Sequence, residues 1–282
     1  MTRSSSLVAA GTGAVAGVVR YAAPGQPGAR PLLGRGGRLA GGALLPIGLL
    51  VAWQLTTALG VFSIVQLPPP GMVIGAAVEL AERGVLGGYV AASAQRVFLG
   101  FAIGASLGLG LGALTGLSRR WDVAVGPTLG AIRAVPSLAW VPLLILWLKI
   151  GEPSKVTLIA IGAFFPVFTT VAGALRHVDR QLVEAGRAFG LTGVRLLLNV
   201  QLPAVLPAVI SGLRLALAQA WLFLVAAELI ASSTGLGFLL VDSQNNGRVD
   251  RILLAIVLLA IIGKLSDSVL GVFERWAVRR WA

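Results

Sequence analysis

Apolar residues run along this chain in long blocks separated by short polar, glycine-rich or proline-rich stretches, and six of the blocks match the thickness of a bilayer. A helix rises about 1.5 Å per residue, so roughly 20 mostly apolar residues cross a hydrocarbon core of about 30 Å. The candidate spans are residues 40–61, 90–117, 125–148, 155–175, 207–231 and 252–273, with ends that are approximate. Alternating segments of about ten residues, which a membrane barrel would need, are not seen. In lipid each backbone polar group must be satisfied within its own helix or a closed barrel. The pattern therefore predicts an all-α fold, a polytopic membrane helical bundle of six transmembrane helices.

The segments between and within these blocks carry further signals. Pro68-Pro69-Pro70-Gly71 breaks the chain after the first span. Met72 to Arg83 then shows helical periodicity, with Glu79, Glu82 and Arg83 on a polar face, which predicts a short external helix near the membrane surface. The second span carries Gly100, Gly104, Gly108, Gly112 and Gly116, one glycine every four residues along one helix face. Small residues at that spacing let a neighbouring backbone approach closely. The neighbour is either another helix of the same chain, a second subunit, or a moving gate. Pro136, Pro142 and Pro166 interrupt the third and fourth spans, each removing an intrahelical hydrogen bond and restricting the residue before it. Kinks are expected near midplane depth, either lining a cavity or purely structural. Residues 1–39 contain no acidic residue. They read as a basic, flexible N-terminal arm in which Leu7 to Val19 is too short a run to count as a span; a cleaved signal peptide is the competing reading. The membrane domain is expected to cover residues 40–282.

Composition and charge sharpen this picture. Hydrophobic residues make up 56% of the 282 positions and charged residues 12%, about half the charge of an ordinary soluble domain. The net charge of +12 would suit nucleic acid, but its distribution argues for topology instead. Arg3, Arg20, Arg30, Arg35 and Arg38 precede the first span, Arg119 and Arg120 follow the second, Arg176, Arg180, Arg187 and Arg195 follow the fourth, and Arg275, Arg279 and Arg280 end the chain. The intervening loops hold Glu79, Glu82, Arg83, Lys149, Glu152, Lys155, Asp242, Arg248, Asp250 and Arg251, which nearly cancel. By the positive-inside rule both termini and the 176–206 segment are expected in the cytoplasm. With no cysteine there is no thiolate nucleophile or sulfur metal site, and the single histidine, His177, lacks the partners that zinc or haem would need.

Ionisable residues at membrane depth point to a transport pathway. Glu228 follows Gln219 and Trp221 near the outer end of the fifth span and precedes Ser232-Ser233-Thr234-Gly235; it reads either as a pathway or gate residue or as a hydrogen-bond anchor between helices. Arg133 and Arg214 lie near inner ends and are expected to snorkel to the interface. Lys264 and Asp267 are spaced to pair on one helix face. No G-x-x-x-x-G-K-[ST] phosphate loop is present, and Gly108, Gly110 and Gly112 imitate a dinucleotide fingerprint only inside a membrane span. No cofactor site is expected in this chain. If ATP drives transport, a separate ATPase subunit binds the ATP and Mg.

The segment between the fourth and fifth spans is too polar to cross a bilayer and carries Glu184, Ala185, Gly186, Gly190, Val200, Leu202 and Pro203. This spacing, E-A-G-x-x-x-G-x9-V-x-L-P, closely resembles the cytoplasmic coupling loop of binding-protein-dependent ABC importer permeases, E-A-A-x-x-x-G-x9-I-x-L-P. Further resemblance lies in the external L-P-P-P, in Ser93 and Arg96 ahead of the glycine stripe, and in Ser118-Arg119-Arg120. It continues through Arg133-Ala134-Val135-Pro136, Trp140-Val141-Pro142-Leu143, Glu228 and Gly235-Leu236-Gly237. Together these are similar to the nitrate, sulfonate, taurine and bicarbonate branch of type I ABC importer permeases, over roughly residues 40–280. The resemblance implies an inner-membrane subunit with a second permease copy, two cytoplasmic ATP-binding subunits and an extracytoplasmic solute-binding protein as partners. It implies a small, anionic solute, without selecting among members of the branch. Asp179 to Phe189 would form the coupling helix, with Glu184 between Arg180 and Arg187, and Gly190 ending it in a left-handed turn. Glu184 would either bond to the ATPase or brace the loop. Leu202, Pro203 and Pro207 would fix where the chain re-enters the membrane. An ATP-independent secondary transporter is the alternative, but the inverted repeats and paired midplane charges it should show are not seen. A membrane enzyme would need clustered His, Asp or Cys, which are absent from the pattern.

Overall fold

The computed structural model describes residues 35–281. The basic arm expected over residues 1–39 lies outside the described residues except at its end, where residues 35–39 already belong to a helix. The described residues divide into two units, residues 35–50 and 51–281. Helix α1 is Arg35–Ala58. It is followed by α2 (Pro70–Glu82), α3 (Leu86–Leu117), α4 (Arg119–Ala134), α5 (Val141–Leu148) and α6 (Glu152–Arg176). The rest is α7 (Arg180–Ala188), α8 (Gly193–Leu196), α9 (Leu202–Ala231), α10 (Leu236–Asn245) and α11 (Val249–Trp281). Among the described residues all regular structure is helical, as the hydrophobic pattern predicts.

Among the described residues four helical runs are long and apolar enough to cross a bilayer: Leu86–Leu117, Glu152–Arg176, Gly193–Ile230 and Val249–Arg280. A fifth arises if α4 and the segment Ser137–Leu148 form one span, bent by 88°. The expected count of six is met less fully at the first span, where the apolar described stretch, Leu44–Ala58, is shorter than the roughly 20 residues that a crossing needs.

Proline explains the bent span. α4 ends at Ala134, and Val135 turns extended (φ −73°, ψ 124°) ahead of Pro136, the conformation a residue before proline is pushed into. A 3-10 turn, Ser137–Trp140, redirects the chain, and Pro142 sits in the first turn of α5, where a missing N–H leaves no helical bond unmade. Pro166, by contrast, lies inside α6, which continues through it. A second difference from the sequence pattern precedes α9. At Leu202, Pro203 and Pro207, where re-entry into the membrane is expected, the chain is already helical, because the helical run begins at Gly193 and widens into a π turn at Leu197–Gln201 before α9. Pro203 cannot donate to the carbonyl four residues back, and a π turn just before it absorbs that missing bond.

α3 and α6 form the centre of the second unit. A Cβ placed on Gly108 would lie 2.8 Å from the Phe164 carbonyl oxygen, and one on Gly116 would lie 2.8 Å from Leu175 Cβ. Gly100, Gly104 and Gly112 face Ile159, Ala160 and Val171 of α6 in the same way. Val97, Ile159, Val167, Ala216 and Leu224 are buried where α3, α6 and α9 meet. α2 packs Val73, Ala76 and Leu80 against Leu239, Leu254 and Ala255. Large apolar side chains such as Leu107, Leu215, Leu222, Leu265 and Val269 remain exposed, the surface that a lipid solvent covers.

Candidate functional site

Between α6 and α9 the chain builds a short helix whose two sides differ. Asp179 caps α7 by accepting the Gln181 amide at 2.8 Å, which satisfies one of the amide groups a helix start leaves free. At its end Gly190 adopts φ +78°, its amide bonds the Arg187 carbonyl at 2.9 Å, and the Leu191 amide bonds the Gly186 carbonyl at 3.0 Å. Glycine is needed there because a left-handed residue with a Cβ is strained. Gly186 is buried, and a Cβ on it would lie 2.7 Å from Leu196 Cδ1 and 3.0 Å from Val200 Cγ2. The two positions at which this chain departs from the coupling motif, Gly186 and Val200, thus face each other. On the other side Glu184 accepts from Arg180 Nε at 2.7 Å, and both remain largely exposed with Ala185. Leu182, Val194 and Leu198 are exposed, and Phe189 is 88% exposed. Leu202 and Pro203 open α9, one turn beyond Val200.

A groove runs between α4, α5 and α6. One part is a cavity of about 490 Å³ walled by apolar side chains, among them Ile103, Leu107, Trp140, Trp147, Phe164 and Phe165. The other, of about 600 Å³, is bordered by Asp122, Arg133, Thr169 and Arg176. Leu129 lines both parts. Asp122, in the first turn of α4, pairs with Arg176 at the end of α6. Pro136 and Pro142 shape this region through the backbone but line neither cavity. Gln219 is half-buried on α9, and Trp221 is buried, its indole donating to Ser266 Oγ at 3.0 Å. Neither lines the groove. The structure therefore does not gather Pro136, Pro142, Gln219, Trp221 and Glu228 around one cavity.

Glu228 belongs to a separate network, buried at Glu228, Arg96 and Ser93 and open at Glu152, whose side chain is 59% exposed; Glu228, Glu152 and Lys155 border a cavity of about 540 Å³. The Glu228 side chain is fully buried and accepts from Arg96 at 2.5 Å, from the Gly237 amide at 2.7 Å and from Ser93 Oγ at 2.9 Å. Arg96 also donates twice to Glu152, at 2.7 Å each, to the Thr234 carbonyl at 2.6 Å and to Thr234 Oγ1 at 2.9 Å. All five guanidinium donors are used. Ser93 Oγ accepts the Leu236 amide at 2.8 Å, and Lys155 adds a bond to Glu152 at 3.1 Å. Gly235, at φ +115°, and Gly237 both press against the Glu228 side chain, leaving no room for a Cβ. The network ties α3, the start of α6, the end of α9 and the turn before α10. Charge counting had assigned Glu152 and Lys155 to an external loop. The signal for the network was in the sequence, since Arg96 and Glu228 are isolated opposite charges in apolar helices.

Two further charge groups hold peripheral helices. Arg214 does not simply snorkel: it donates to Asp267 at 2.8 and 3.0 Å and to Glu274 at 2.8 Å, joining α9 to α11. Lys264 reaches Asp267 only at 3.4 Å. Glu79 of α2 accepts from Arg248 at 2.8 Å and Arg251 at 2.6 Å, and these bonds, Arg248 first, hold its carboxyl below the ordinary value. Arg248 is held correspondingly above its own, by Asp250 and then Glu79.

The profile of the family described as the binding-protein-dependent transport system inner membrane component matches residues 104–279. The permease protein named for aliphatic sulfonates transport, SsuC, of Bacillus subtilis strain 168 is 41% identical over 234 residues, covering 83% of this chain and 85% of that protein. Its namesake from Escherichia coli K12 is 39% identical over 235 residues, covering 83% and 89%. Among solved structures, an inward-facing conformation of the MetNI methionine ABC transporter superposes with a TM-score of 0.62 at 21% identity, covering 70% of this chain and 98% of the matched one.

Proposed function

The chain belongs to the family of binding-protein-dependent transport system inner membrane components and is an ABC transporter permease subunit; from that premise we propose that it carries an aliphatic sulfonate across the inner membrane. Its working partners are an ATPase and an extracytoplasmic binding protein, as the family implies. In the assembly we infer, two copies of the chain pair with two ATPase subunits. Residues 40–282 form the permease domain, and the 176–206 segment and both termini face the cytoplasm.

Coupling is assigned to α7. The observation that carries this reading is the two-sidedness of the segment: Gly186 is locked against Leu196 and Val200 while Glu184, Arg180 and Phe189 are presented outward. A helix fastened on one face transmits a push received on the other, and an exposed aromatic flanked by charges suits a protein partner. Gly190 ends the helix so that Phe189 stands clear of the chain that follows. Closure of the ATPase subunits on ATP would move α7 and, through Leu196 and Val200, the helical run that starts at Gly193. The anchor of the opposite end is the Arg96 and Glu228 network, and Glu228 is a brace there rather than a contact for solute.

The test is uptake of a short alkanesulfonate into membranes containing all partner subunits. Glu184→Lys and Phe189→Asp change exposed positions outside the left-handed turn, so abundance should stay near wild type while uptake falls at least about tenfold, equivalent to about 1.4 kcal/mol of coupling. Normal uptake by both variants, with the ATPase still bound, would refute the assignment of coupling to α7.

A further inference from the structure

Arg133 is an arginine without an ion-pair or hydrogen-bond partner among the described residues, on the last turn of a helix that forms part of a membrane span. It stands three turns beyond Asp122 on α4, about 16 Å along the axis. The Asp122 and Arg176 pair marks one end of the groove, so Arg133 borders the larger cavity well inside it, next to the seam at Leu129 where the apolar cavity begins. Arg133 is exposed, and a charge within a membrane span requires a partner or water, which the groove can admit.

We propose that this groove is the half-path that one subunit offers to an amphiphilic monoanion, with Arg133 holding the anionic head and the cavity walled by Trp140, Trp147 and Phe164 holding an alkyl tail. The proposal rests on the sulfonate reading above and adds the residues that recognise the solute. Charge complementarity selects the head. A guanidinium presents a planar fork of donors that matches two oxygens of a sulfonate at once. The tail is selected by what lines the other cavity, where Thr157 is the sole hydroxyl among side chains that are otherwise apolar or aromatic. Each part has the volume of an ordinary small-molecule site, at about 490 and 600 Å³. An inorganic oxyanion would engage the arginine and leave the apolar cavity unused. An arginine in the last turn of α4 also complements the negative end of that helix, but such a role would not discriminate among ligands.

The permease assembled with its ATPase subunits, in nanodiscs of zwitterionic lipid and without binding protein, is titrated with ethane-, butane-, hexane- and octanesulfonate, nitrate and 1-octanol, against empty-nanodisc blanks. Affinity should rise roughly two- to fourfold per methylene. Arg133→Gln should weaken octanesulfonate at least about tenfold and leave octanol unchanged, whereas Arg133→Lys should retain part of the sulfonate affinity. Leu107→Trp, which fills the apolar cavity from an exposed position, should flatten the chain-length dependence. Affinities indifferent to chain length would overturn the proposal, as would equal losses of octanol and octanesulfonate in Arg133→Gln. So would a phospholipid retained in the groove by native mass spectrometry that sulfonate does not displace. Wild-type uptake by Arg133→Gln in the complete system would remove the groove from the path while leaving the permease assignment intact.

Discussion

The two ends of the helical unit handle charge in opposite ways. At the Arg96 end, a guanidinium with every donor bonded meets a carboxylate with no exposed surface, and four chain segments converge on the pair. At the α7 end, Arg180 and Glu184 bond each other in the open and Phe189 is bare. Moving Arg96 or Glu228 away from the other strands a charge in a buried position, which is costly. An exposed ion pair is worth little, so covering or shifting the second group meets almost no resistance. One end resists displacement and the other does not, which is the difference the proposed coupling at α7 draws on.

Three substitutions would break or sharpen that contrast, beginning with the largest effect. Glu228→Gln leaves buried Arg96 with a neutral neighbour on one side and the exposed Glu152 on the other, and a loss of about 3 kcal/mol is expected, read as reduced abundance and a lower melting temperature of purified protein. A variant as stable as wild type would show that Glu152 alone satisfies the arginine and that the two ends differ less than their burial suggests. Gly108→Leu comes next. Its Cβ would start 2.8 Å from the Phe164 carbonyl and 2.9 Å from Val167 Cβ, and overpacking against backbone costs about 1–3 kcal/mol. Equal tolerance of leucine at Gly108 and at Gly110, where nothing lies within 4 Å, would place the stripe away from α6. The smallest effect is expected at Gly186→Ala, where the obstacle is the end of the Leu196 side chain, which can rotate. A loss below about 1 kcal/mol should be partly recovered by Val200→Ala, and double-mutant thermal unfolding measures the coupling. Strict additivity would mean that the two departures from the motif are independent.

What could be read in advance followed the physics of each signal. Apolar length located the helices, because a bilayer imposes one period and one minimum span on all of them. It could not show that Pro136 would turn its span through 88° whereas Pro166 would be carried within α6, since that depends on whether neighbouring helices hold the chain straight. The four-residue glycine spacing was visible, but not which helix lay against it. Charge totals placed Glu152 and Lys155 in a loop; the bonds of Glu152 to Arg96 arise from the meeting of segments 56 residues apart in the chain, and Lys155 joins the network through Glu152. The α7 segment was the most legible, because its cap, its left-handed glycine and its exposed face are all local. The partner of Arg214 was not, since Asp267 lies 53 residues away and nothing local names it.

The glycine stripe also limits how this protein can change shape. With Gly100 through Gly116 seated on α6, each ridge of one backbone fills a notch in the other, like two racks in mesh. Teeth four residues apart are about 6 Å apart along the helix, so a small slide would drive every tooth into its neighbour at once. α3 and α6 are a single rigid beam. In the proposed transport cycle the moving parts would swing about that beam, and the α4 and α5 pair beside it, bent by 88°, is where a joint would lie.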